Sequence, residues 1–100
     1  KQGEPHKVIA WLAEHENRVA DFYFQRRHFL SASYRYSALL QEYSNLGYDE
    51  EALFRLGKSY FNIRMYNNAK DALRRLVAQF PAGNFANEAK TLLSELSANN

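Results

Sequence analysis

Three histidines and eleven carboxylates are the groups in this 100-residue chain with the chemistry for metal binding or proton transfer. His15 and Glu16 begin as the helical zinc-protease pattern H-E-x-x-H begins. Val19 stands where the second histidine is required, so the metal-binding face is not formed. His15 falls on the apolar side of its helical stretch and is expected as a packed, hydrogen-bonded core residue. His6 and His28 fall at helix ends and are expected in solvent. No serine has the G-x-S-x-G setting of a nucleophile elbow, and no glycine-rich loop could cradle a phosphate. The carboxylate pair Glu50–Glu51 suits the positive end of a helix, and Glu14 with Glu16 suits a solvated face. Cysteine is absent, which excludes disulfides and thiolate-bound metals. The chain is therefore expected to be no enzyme and to need neither metal nor cofactor.

The charge balance argues against nucleic acid. The formal net charge is only +2, and the basic groups Arg26–Arg27–His28 and Arg74–Arg75 stand near Asp21, Glu42, Asp71 and Glu95. With 46% apolar and 15% aromatic residues the chain has the material for a folded core. No apolar run approaches the roughly 20 residues that span a bilayer.

Apolar residues recur at steps of three and four, which predicts five helices. Residues 1–4 carry no pattern and are expected to fray. The first helix is placed at about 5–26, with Pro5 in its first turn and Val8, Leu12, His15, Val19 and Phe22 or Tyr23 inward. The second, 29–44, turns Phe29, Ala32, Tyr36, Leu39, Leu40 and Tyr43 inward. Gly47 marks the next turn, and Asp49 is the expected N-cap of the third helix, which ends near Ile63. The fourth is placed at about 67–80 and the fifth at 85–98, with Pro81, Gly83 and Asn84 between them.

Displacing the chain against itself by 37 residues brings Tyr23 onto Tyr60, Ala32 onto Ala69, Tyr36 onto Leu73 and Leu39 onto Leu76. Val19–Ala20 falls on Leu56–Gly57, the same large-small pair. Leu53, Leu56, Gly57, Tyr60, Ala69, Leu73, Leu76 and Pro81 follow the order of a tetratricopeptide repeat, with Leu53 for its tryptophan, Leu73 for its phenylalanine and Leu76 for an alanine. Two repeats result, at about 13–47 and 50–83, followed by a closing helix at about 85–98 whose Lys90, Ser94 and Ser97 suit an end that meets water. The expected fold is all-α, a tetratricopeptide-repeat superhelix of two helix pairs plus a closing helix. It forms a single domain over residues 1–100, expected to be the C-terminal part of a longer array.

In this repeat class the first helix of each pair lines the concave surface. Its inward places hold Glu14, Asn17, Asp21, Phe24 and Gln25, then Glu51, Phe54, Lys58, Phe61 and Asn62. Asn17 with Asp21, and Phe54 with Lys58, do not reproduce the Lys/Asn clamp for two-carboxylate chaperone tails. Phe24, Phe54 and Phe61 on a mixed-charge groove suit a protein or peptide partner. For Phe24 and Phe61 the alternative is packing against further repeats. Self-association through Val8, Trp11 and Leu12 of the first helix is a third expectation.

A longer pattern covers residues 8–81. It runs LAEHE at 12–16, VA at 19–20, F-Y at 22–23, Phe29, Ala32 with Arg35, LLQEY at 39–43 and DEEALFRLG at 49–57. It resembles the C-terminal half of the BamD family, lipoproteins of the outer-membrane β-barrel assembly machinery. Arg27 departs from it, because the family usually turns on glycine there. The resemblance implies a periplasmic scaffold at the outer membrane, anchored by a lipid upstream of this chain. It also implies docking to the POTRA region of the barrel-forming subunit. Arg35, beside Tyr34, matches the family arginine that donates a salt bridge to that partner. The partner-binding residues expected from both lines are Arg35, Tyr34, Phe24, Phe54, Lys58 and Phe61. Another tetratricopeptide adaptor of the bacterial envelope, Tol–Pal-associated or in pilus assembly, is the alternative.

Overall fold

The computed structural model describes residues 4–98. Five helices follow one another: α1 Glu4–Gln25, α2 Phe29–Glu42, α3 Asp49–Asn62, α4 Tyr66–Gln79 and α5 Ala86–Ala98. Each packs on the next, and α1 also touches α3, so the elements stack in chain order into an elongated body of 53 × 29 × 17 Å. Of the four residues expected to fray, 1–3 lie outside the described residues, and Glu4 instead opens α1.

The displacement by 37 residues survives in the packing. Ala20 and Gly57, Ala32 and Ala69, Tyr36 and Leu73, and Leu39 and Leu76 are all buried at matching places. At Gly57 the crossing is close. A Cβ there would lie 2.7 Å from Leu73 Cδ2 and 2.8 Å from its Cγ. The all-α repeat superhelix expected from the spacing is the fold observed.

The α1–α2 and α3–α4 turns are the same Schellman closure built on arginine. His28 N donates to Tyr23 O at 2.9 Å and Arg27 N to Phe24 O at 3.0 Å; Met65 N donates to Tyr60 O at 2.9 Å and Arg64 N to Phe61 O at 3.1 Å. Arg27 and Arg64 accordingly take the left-handed conformation, with φ of 63° and 64°. A side chain strains there, and glycine does not. Arg27 also lies over the Phe29 ring, so Arg64 is the cleaner probe. Arg64→Gly is expected to stabilise the protein by about 1 kcal/mol, a rise in Tm of about 4–8 °C. A thermal melt that is unchanged or lower would contradict this.

Two expectations are corrected. Tyr48 occupies the N-cap position of α3 without a side-chain bond, while the Asp49 carboxylate accepts from Asn45 N at 3.1 Å. Asn45 has φ 66° and Gly47 φ 100°, so the chain doubles back and brings Asn45 N within reach. The second correction concerns α1. Its fully buried residues are Ala13 and Ala20; of those expected inward, Val8, His15 and Phe22 are exposed, while Leu12, Val19 and Tyr23 are half-buried and Tyr23 packs against the core. α2 and α3 approach on the small-residue side, as close helix crossings require, and the bulkier stripe faces outward. His15 is thus no core residue. It stacks on Trp11 with ring centroids 5.3 Å apart.

Candidate functional site

Where α1, α2 and α3 meet, one carboxylate collects two donors from two other helices. Asp21 Oδ1 on α1 accepts from the Tyr36 hydroxyl of α2 and from Arg55 Nη1 of α3, both at 2.5 Å. Arg55 Nη2 pairs with Glu51 one turn earlier at 2.6 Å, and the guanidinium lies 5.6 Å from the Phe24 ring centroid. Burial pushes the Tyr36 hydroxyl above its ordinary range, and its bond to Asp21 raises it further. It therefore remains a protonated donor. Burial works against the Arg55 charge, but the bonds to Asp21 and Tyr36 outweigh it and hold the group charged. The cluster is a fixed polar seam between repeats. Its groups are used up by one another, which suits a structural role.

The sequence-selected residues divide around this seam. Phe24 is half-buried, edge-on to Phe29 and Tyr36 with centroids 5.6 and 6.2 Å away. Phe54 is not a surface contact: it is 7% exposed and stacked on Phe85 at 4.8 Å. α5 covers it, because the loop before α5 folds Phe85 back onto α3. That loop is held by Glu50, whose carboxylate accepts from Phe85 N at 3.1 Å. Lys58 lies over the Phe54 ring at 5.3 Å and shares with Asn87, Glu88, Thr91 and Leu92 a shallow depression between α3 and α5. Phe61, 36% exposed, packs against Tyr66 at the α3–α4 turn. This pair repeats Phe24 with Phe29, 37 residues on.

Tyr34 and Arg35 belong to α2. Tyr34 is 70% exposed, the most open large hydrophobic side chain among the described residues. Arg35 Nη1 meets Glu16 Oε2 of α1 at 3.4 Å in a half-exposed, single-contact pair. Glu16 belongs to the LAEHE run that pointed to the resemblance. Most of the Arg35 donors are not engaged by it, and a planar guanidinium can take a second carboxylate bidentately. Among the described residues no three His, Cys, Asp or Glu side chains converge to hold a metal.

Arg55 was not singled out by the spacing, although Glu51 and Arg55 are four apart. Its main partner lies 34 residues away in sequence, where local patterns do not reach.

Comparison with known proteins agrees with the architecture. No curated protein matches the chain. Residues 51–83, α3 through the turn after α4, match the family model of the tetratricopeptide repeat. The chain carries a tetratricopeptide repeat within an all-α repeat fold, an architecture of the kind that mediates protein–protein interaction.

Proposed function

We propose that this chain is a non-enzymatic docking platform for the assembly and insertion of outer-membrane β-barrel proteins. It works at the periplasmic face of the outer membrane, held there by a lipid anchor upstream, and binds the POTRA region of the barrel-forming subunit. The reading rests on the resemblance to the BamD family, and one observation supports its site. Arg35, the residue matching the family arginine, is an exposed guanidinium in a single long contact beside the open Tyr34 ring. An aromatic and an arginine side by side are the residue types that anchor protein interfaces.

The test is recovery from an envelope extract with wild type beside Arg35→Glu, the fold checked by circular dichroism. Wild type is expected to recover a β-barrel assembly subunit, and Arg35→Glu to lose it. Recovery by both would move the interface away from Arg35. Recovery of Tol–Pal or pilus-assembly components instead would favour a different envelope adaptor.

A further inference from the structure

α3 shows what the first helix of a repeat packs against in this molecule. α2 lies along it, and Ala52, Leu56 and Ser59 are buried. Ser37 and Leu40 of α2 border the same crevice as Leu56, and the Ser37 hydroxyl lies 3.4 Å from that of Tyr60. Subtracting 37 from Ala52, Arg55, Leu56, Ser59 and Tyr60 gives His15, Arg18, Val19, Phe22 and Tyr23. These five line a shallow depression on the outer face of α1. Even the ion pair at its rim repeats: Glu14 with Arg18 at 3.0 Å, Glu51 with Arg55 at 2.6 Å. The α1 copy of the surface is open, with Phe22 48% and Trp11 55% exposed.

We infer that the outer face of α1 is a docking site for an amphipathic helix of α2's chemistry. The helix lies antiparallel to α1, with small or hydroxyl residues at i and i+4 and leucine at i+7, as Ser33, Ser37 and Leu40 stand on α2. The interface it forms continues the α2–α3 interface already present. Phe22 in place of Ser59, next to Tyr23, fills part of the space that i+4 would enter, so bulky residues on that turn of the docked helix would overpack it. A hydroxyl at i+4 would meet Tyr23 as Ser37 meets Tyr60. The inference is independent of the β-barrel reading, which concerns Arg35.

Trp11 is the protein's one tryptophan and stands at the lip of this face, stacked on His15. The test fuses a copy of residues 28–44, which has no tryptophan, ahead of Lys1 through a Gly/Ser linker of about ten residues. Such a linker reaches about 17 Å, enough to pass the first two turns of α1 and to hold the copied helix at millimolar effective concentration. The expected result is a blue shift of Trp11 emission and a loss of acrylamide quenching relative to the unfused protein. The shift should vanish when the copied segment carries Ser33→Phe and Ser37→Phe. It should also vanish with Val19→Asp in α1, provided circular dichroism is unchanged. Unaltered Trp11 emission in the plain fusion, or an equal shift with the phenylalanine-bearing copy, would overturn the inference. A unfused protein sedimenting as a dimer that blue-shifts Trp11 would also overturn it, making the occupant a second copy.

Discussion

Asp21→Ala is expected to destabilise the protein by about 2–4 kcal/mol. The carboxylate accepts from Tyr36 and Arg55 at 2.5 Å each, and the Tyr36 side chain is fully buried. Removing the acceptor leaves the buried hydroxyl facing only the Arg55 guanidinium, and that guanidinium with Glu51 as its one carboxylate. Tyr36→Phe removes only the hydroxyl and is expected to cost about 1 kcal/mol. In the double variant the tyrosine penalty should largely disappear, giving a coupling energy of about 1 kcal/mol by urea titration. Additive losses would show that the three helices are not joined through this carboxylate. The same seam carries a pH dependence. Burial, then the Asp21 bond, raises the Tyr36 hydroxyl above its ordinary 10.0. The folded state therefore holds that proton more tightly than the unfolded chain does. Its contribution is intact below about pH 10 and is lost as the pH climbs further, when the unfolded chain ionises first. Urea titrations from about pH 9 to about pH 11 should show a steeper fall for wild type than for Tyr36→Phe.

Gly57→Val is expected to cost about 3 kcal/mol or more, through overpacking of the α3–α4 crossing. The first added carbon already meets Leu73 at 2.7 and 2.8 Å, and Leu73 is itself fully buried. Gly57→Ala should be milder, because alanine regains about 1 kcal/mol of helix propensity against a smaller clash. Leu73→Ala in the Gly57→Val background should return part of the loss, since the cavity of one accommodates the excess of the other. A Gly57→Val protein within about 0.5 kcal/mol of wild type would mean that the helices do not cross at that distance.

The repeat was legible because its restraints are local. Gly57, Ala69 and the leucines recur at helical spacing, and the displacement by 37 residues aligns buried with buried. The orientation of α1 was not. Its bulky stripe, Val8 to Phe22, has the spacing of a core face, but the neighbours that exist in the fold meet Ala13 and Ala20 instead. Periodicity identifies an apolar face and says nothing of whether a partner covers it. Phe54 was misassigned for a related reason. Whether that place is groove or core depends on Phe85, which a loop carries back to it. The polar seam was half visible. Tyr36 stands where the second repeat has Leu73, and a tyrosine at a core place calls for an acceptor. Nothing in the spacing names Asp21 as that acceptor.

Arg27 and Arg64 show a related limit. Their positive φ is imposed by the turn that lets the second helix of each pair fold back, and both repeats accept the strain at the same place. A departure from glycine there changes the energy of the turn without changing its path.

The most direct measurement is calorimetric titration of the chain with the purified POTRA region of the barrel-forming assembly subunit, wild type beside Arg35→Glu. Binding by wild type with loss in Arg35→Glu is the expected result. No binding by wild type, or equal affinity for both proteins, would contradict docking through Arg35 and leave the tetratricopeptide scaffold without its proposed place.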